Sequence, residues 1–268
     1  MNRIDAAFAR ARAERRAALI VFVTAGDPDL ETTAELIAEL AAAGADVVEL
    51  GIPHSDPIGE GPTIQASSQR SLRHHTTLAQ ILELVRRVRG VSQVPIVLMG
   101  YLNNVLAHGE ERLAKDAAAA GADGLILADT PHEETEVLSR ACAEAGVQRV
   151  LMVAPTSTPE RVVRIAAASR GFVYCVSVTG VTGSRRSLPA DLAQLVGRIR
   201  RVTSTPVCVG FGVSTPAQAA EVARLADGVI VGSALVSRVG AAPDRDAAIR
   251  SARAFVAELS AAVRSARA

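Results

Sequence analysis

Tryptophan is absent from the 268 residues, aromatic side chains make up only 3% of them, and Lys115 is the sole lysine. A chain with no lysine at the end of an apolar run offers no amine for Schiff-base aldolase chemistry. Neither sign of charge dominates: 29 Lys and Arg face 28 Asp and Glu, for a net charge of +1. That balance excludes a charge-driven nucleic-acid binder. The three cysteines, Cys142, Cys175 and Cys208, are odd in number and far apart, so they form neither a disulfide framework nor a CxxC pair, and a reducing, cytoplasmic setting is expected. His74 and His75 are adjacent, His108 and His132 stand alone, and no HxH or HxxxH spacing is present, so no metal site is expected. No hydrophobic run is long enough for a membrane: the apolar stretch 19–23 ends at Asp27-Pro28. The Ala- and Arg-rich residues 1–16 are interrupted by Asp5 and Glu14 and lack Ser, which reads as an amphipathic helix rather than a transit peptide. No Pro/Gly/Ser-rich or single-charge stretch marks a linker between Leu19 and Val239, so one domain spanning residues 1–268 is expected.

What remains is abundant: 49% of residues are hydrophobic, mostly Ala, Val, Leu and Ile, which excludes a disordered chain. Eight short apolar runs of strand character recur at 19–23, 47–50, 96–99, 124–127, 150–153, 172–176, 207–209 and 229–231. They are continuous rather than alternating, as when both faces of a parallel strand are covered. Segments 29–43, 78–88, 133–145, 159–168, 189–202 and 216–225 read as helices between them, with a longer helix over 244–264. Ala45-Asp46, Ala122-Asp123 and Ala226-Asp227 repeat the same turn into a strand. Eight βα units in this length predict an α/β fold, a single (β/α)8 barrel with an extra N-terminal helix. A doubly wound sheet would call for a GxGxxG turn after the first strand, and Thr24-Ala25-Gly26-Asp27-Pro28 is not one.

Reactive groups in such a barrel stand at the C-terminal ends of the strands. Glu49 is a lone carboxylate within Val47-Val48-Glu49-Leu50-Gly51, where burial raises its pKa toward the range of acid–base work. Glu60 sits between Gly59 and Gly61 in a loop stiffened by Pro53, Pro57 and Pro62, and reads as a substrate contact. Asp56, beside Pro57, reads equally well as a turn former. Gly210-Phe211-Gly212 and Gly232-Ser233-Ala234 follow the seventh and eighth strands, with a helix opening at Ser233, and Gly180-Val181-Thr182-Gly183 follows the sixth. Backbone N–H groups at such glycines and a helix N-terminus suit a phosphate. Ser184-Arg185-Arg186-Ser187 has the polar, aperiodic texture of a lid. Phe22, Tyr101 and Tyr174, with Phe211, lie where they could sandwich a flat apolar ring, although core packing serves for Phe22 alone.

Val48-Glu49-Leu50-Gly51-Ile52-Pro53, Ser55-Asp56-Pro57 and Gly61-Pro62-Thr63-Ile64-Gln65 together resemble the signature of the tryptophan synthase alpha family. The likeness extends to 22–28, Ala128-Asp129, Gly180-Val181-Thr182-Gly183, Gly210-Phe211-Gly212 and Gly232-Ser233, nearly the whole chain. It implies a barrel that splits indole-3-glycerol phosphate into indole and glyceraldehyde 3-phosphate. No cofactor is implied in this chain; pyridoxal phosphate belongs to a beta subunit, met in an alpha2beta2 complex. By the same resemblance Glu49 is the general acid/base, Glu60 the second carboxylate, and Phe22, Met99, Tyr101, Ala128 and Tyr174 line the indole pocket. Gly183, Phe211, Gly212, Gly232 and Ser233 hold the phosphate, and Thr182 latches the lid. Two departures stand out: the family has Asp where Glu60 stands, and an aromatic where His54 stands in the loop that faces the beta subunit. Glu is one methylene longer, a displacement of about 1 Å that can cost about 100-fold if nothing adjusts. Other readings are a lyase that works without a beta partner, and a phosphate-binding barrel that has lost catalysis and acts as an allosteric partner. A phosphosugar isomerase would need a second acid–base group at a strand end.

Overall fold

The computed structural model describes residues 1–176, 191–210 and 212–267. Nine parallel strands form one sheet: β1 (Ala18–Thr24), β2 (Val47–Gly51), β3 (Ile96–Gly100), β4 (Gly124–Leu127), β5 (Gln148–Arg149), β6 (Leu151–Val153), β7 (Val173–Val176), β8 (Val207–Gly210) and β9 (Gly228–Val231). Their order is β5-β4-β3-β2-β1-β9-β8-β7-β6. β5 and β6 are two pieces of one stretch, so the two ends of the sheet meet and the barrel is nearly closed, with eight strand positions. The fifth position differs from the expected 150–153. The chain pairs with β4 at Gln148 and Arg149, and Val150 still donates to Leu125 O (3.2 Å). Beyond Val150 it pairs with β7, while Ser169 Oγ takes the Leu151 N–H (3.1 Å).

The strands are apolar along their length because each lies between two cores. Ile20, Val47, Val97, Ile126, Phe172, Cys208 and Ile230 face the barrel interior, while Leu19, Val21, Val48, Leu50 and Leu98 face the surrounding helices. The first helix, α1 (Arg3–Ala13), is the expected extra one, and it closes the N-terminal end of the barrel. Ile4 and Phe8 join the interior cluster, and Phe8 meets Phe172 with ring centroids 5.8 Å apart.

Around the barrel lie α2 (Leu30–Ala42), α3 (Pro62–Arg73), α4 (Leu78–Arg89), α5 (Leu102–His108), α6 (Glu110–Ala120) and α7 (Glu136–Ala145). They are followed by α8 (Pro159–Ala168), α9 (Asp191–Arg200), α10 (Pro216–Leu225), α11 (Ser233–Gly240) and α12 (Arg245–Ser265). The expected helix from 133 opens instead with a 3₁₀ turn, His132–Glu134, before α7. α3 and α5 have no counterpart in the sequence reading. The buried face of α3 is Ile64 with Ser67, Ser68 and Ser71, so it carries almost no apolar periodicity.

The repeated Ala-Asp turns share a structural job at the N-terminal end. Asp46, Asp123 and Asp227 donate backbone N–H to Leu19 O, Ile96 O and Val207 O (2.7, 2.8 and 2.8 Å). Their carboxylates accept the N–H of those same residues in return, at 2.8, 2.9 and 2.9 Å. Each carboxylate is then matched by arginine: Asp46 by Arg16, Asp123 by Arg3 and Arg89, Asp227 by Arg200. The Arg16–Asp46 pair is bidentate, at 2.6 and 2.8 Å, and both partners are buried. Removing one member of such a pair strands the other charge. Asp46→Ala should therefore cost about 3–5 kcal/mol in urea denaturation. Glu83→Ala, which breaks the exposed pair with Arg86, should cost less than about 1 kcal/mol.

Candidate active site

The alternation that turns Val47 inward does the same for Glu49, two residues nearer the C-terminal end of β2, where its neighbours in register are Phe22 and Val97. Glu49 is 1% exposed, and its Oε1 has no hydrogen-bond partner among the described residues. Burial first, and the nearby charge of Glu60 second, push its pKa up to about 8. The proton therefore stays on at neutral pH.

Glu60 is delivered by the loop between β2 and α3. Its N–H donates to Pro57 O (2.9 Å) and its carbonyl accepts from Gln65 Nε2 (2.9 Å). Pro62 occupies the first turn of α3 after Gly61, a position where its missing N–H costs nothing. The serine face that hid α3 in the sequence binds it to the end of β1. Ser67 Oγ lies 2.7 Å from Thr24 Oγ1, Ser71 Oγ donates to Ala25 O (2.6 Å), and Arg70 grips buried Asp27 at 2.7 and 2.8 Å. So anchored, the loop holds Glu60 partly buried, and burial raises its pKa to about 7.

Both carboxylates line one cavity of about 240 Å³. Phe22, Ile64, Met99, Tyr174 and Ile230 form an apolar side; Gly212, Ser214, Gly232, Ser233 and Ala234 form a side of small residues. Glycine makes the apolar side possible, since a Cβ on Gly51 would lie 2.4 Å from the Phe22 ring, and one on Gly210 2.4 Å from the Tyr174 hydroxyl. At the small-residue side α11 begins at Ser233, so the N–H groups of Ser233 and Ala234, which have no acceptor within the helix, belong to residues that line the cavity. Gly212, at φ +82°, takes a backbone conformation that favours glycine. Among the described residues no Arg or Lys lines the cavity.

Of the residues named from sequence, Phe22, Glu49, Glu60, Met99, Tyr174, Gly212, Gly232 and Ser233 meet at this cavity. Tyr101 does not line it; it lines a smaller cleft beside it, shared with Phe22, Met99 and Glu60. Ala128 packs against the barrel interior and donates to Gly100 O (3.0 Å), away from the cavity lining. Thr182, Gly183, Phe211 and the 184–187 segment lie outside the described residues. Thr63, Ile64, Val213, Ser214, Ile230 and Ala234 line the cavity without having been assigned a role there; inward parity along the eighth predicted strand was the available signal for Ile230. Among the described residues no group of three or more His, Cys, Asp or Glu is placed to hold a metal.

A family model described as tryptophan synthase alpha chain matches residues 8–264. The chain belongs to that family. A tryptophan synthase alpha chain of Geobacter sulfurreducens is 54% identical over 237 residues, covering 88% of this chain and 89% of its own length. One from Acidiphilium cryptum is 50% identical over 98% of each. Among solved structures, tryptophan synthase of Mycobacterium tuberculosis superposes with a TM-score of 0.90 at 40% identity, over 98% of both chains. The tryptophan synthase alpha chain of Legionella pneumophila gives 0.88 at 35% identity, over 98% of this chain and 97% of that one. As a tryptophan synthase alpha family member the chain is a lyase of tryptophan biosynthesis that cleaves indole-3-glycerol phosphate. The comparisons do not favour the partner-independent lyase or the non-catalytic barrel.

The raised carboxylates bear on stability as well. Between the ordinary value of 4.5 and about 8, folded Glu49 keeps a proton that the unfolded chain has released, so stability falls as pH rises through that window. Glu60 adds to the fall up to about 7. Melting temperature followed from pH 5 to 8 should decline, and Glu49→Gln should flatten the decline.

Proposed function

We propose that Glu49 and Glu60 divide the work of a retro-aldol cleavage within one barrel domain spanning residues 1–268. The observation that carries this is a buried carboxyl group whose Oε1 has no hydrogen-bond partner among the described residues, sharing a cavity with a second carboxylate, an apolar side and a side of small residues at the start of α11. The indole ring fits the apolar side of Phe22, Met99 and Tyr174, with Tyr101 and Ala128 behind it. The phosphate fits the helix N-terminus at Ser233 and the backbone of Gly212 and Gly232, where N–H groups meet an anion without any cationic side chain. Gly183 and Phe211 complete that cradle and Thr182 latches the lid in this reading.

Neutral Glu49 delivers its proton to C3 of the indole, and positive charge spreads to the ring nitrogen. Ionised Glu60 accepts the indole N–H and stabilises that charge. Glu49, now a carboxylate, assists removal of the proton from the glycerol hydroxyl next to the ring. The C–C bond breaks, its electron pair neutralises the ring, and the products are indole and glyceraldehyde 3-phosphate. No cofactor in this chain is required. Its partner is a beta subunit carrying pyridoxal phosphate in an alpha2beta2 complex, and both act in the cytoplasm.

Indole release from indole-3-glycerol phosphate by the purified protein tests the reading. Glu49→Gln should abolish release, and Glu60→Gln should lower kcat by about 100-fold. Added beta subunit should raise the wild-type rate strongly. Because Glu49 must be protonated and Glu60 ionised, kcat/KM should follow a bell with limbs near pH 7 and 8. Full activity in Glu49→Gln would refute the assignment.

A further inference from the structure

The longer Glu60 has to be reconciled with a site that the family builds around Asp, and the loop that carries it is held from a direction the sequence does not reveal. The Gly59 N–H donates to the hydroxyl of Tyr101 at 3.2 Å, across 42 residues. His54, at the other end of the same loop, stacks on the Tyr101 ring with centroids 4.6 Å apart. Tyr101 is a firm anchor for both contacts. It is buried, it starts α5 directly after β3, and its own N–H is bound to Asn104 Oδ1 (3.2 Å). The approach also needs glycine at 59, because a Cβ there would lie 3.3 Å from the Tyr101 oxygen, tighter than ordinary contact.

We infer that Tyr101 is a positioning residue for Glu60. Its hydroxyl holds the Gly59 N–H, and this fixes the path of the loop from which the next residue, Glu60, sends its carboxylate into the cavity. The inference rests on the catalytic reading of Glu60 given above. It assigns Tyr101 a role distinct from the indole-pocket wall that the resemblance implies. It also gives Gly59 a reason: a side chain there would push the loop off its anchor.

A double-mutant cycle on the full chain, saturated with a beta subunit and followed by indole release, tests this. Tyr101→Phe keeps the ring and the His54 stack and removes only the hydroxyl. It should lower kcat by about tenfold, the worth of one hydrogen bond, with KM changed less than about twofold. In the Glu60→Gln background the same substitution should cost less than about twofold, because there is no carboxylate left to position. Gly59→Ala, in an exposed loop where unfolding is not at stake, should lower kcat by about threefold beside Tyr101 and have no further effect beside Tyr101→Phe. Losses that multiply in the Glu60→Gln background, or a tenfold rise in KM at unchanged kcat, would overturn the tether while leaving Glu60 catalytic. A Glu60→Gln variant as active as the wild type would instead remove the reading of Glu60 itself, and the tether with it.

Discussion

A carboxyl group kept dry inside a ring of parallel strands constrains everything built around it. Water would ionise Glu49 at neutral pH, so the interior has to exclude water from below and from the sides. Ile4 and Phe8 of α1 shut the N-terminal end, and each strand lies between the barrel interior and a layer of helices. Among the described residues no guanidinium or amine lines the cavity to draw the proton away. The nearest formal charge with influence is another carboxylate, Glu60, and it acts in the same direction as burial. The apolar residues of the mouth therefore keep an acid in its neutral form, and on the proposed reading the same residues receive a flat ring.

The two ends of the barrel use polar chemistry in opposite ways. At the N-terminal end every buried carboxylate of the Ala-Asp turns is saturated, with a backbone N–H on one side and arginine on the other. These contacts fix strand positions and leave little reactive capacity. At the C-terminal end Glu49 Oε1 has no hydrogen-bond partner among the described residues, and the surrounding hydrogen bonds go to the scaffold of the loop rather than to the acid. Stability is concentrated where charges are satisfied, and reactivity where one is not.

Much of this was legible in the sequence because burial on both faces leaves continuous apolar runs, which gave seven strand positions nearly to the residue. The carboxylate inside one of those runs was conspicuous for the same reason. The fifth strand was placed only in part, since its break at Val150 depends on a hydroxyl from Ser169 and not on its own side chains. α3 was invisible because serines bury its face, and α5 because seven residues are too few to show a period. The Ala-Asp repeat was readable as a spacing, but its reciprocal hydrogen bonds became apparent only with the strands in place. The hold of Tyr101 on Gly59 joins residues 42 apart through a backbone N–H, and no residue type announces such a bond.

At the small-residue side of the cavity, Gly212, Gly232 and the start of α11 present main chain where many anion sites present lysine or arginine. An amide has no proton to lose in the physiological range and no flexible tether to order, so the donor it offers is unchanged by pH, and any pH dependence of the attraction comes from the anion's own ionisation. The attraction is also short-ranged. On the proposed reading a phosphate would gain from it on arrival, and capture by these main-chain groups would depend less on ionic strength than in a site ringed by cations. The dependence is instead on backbone path: a methyl group on Gly212, at φ +82°, would strain the main chain there, whereas one on Gly232 would meet only ordinary contacts.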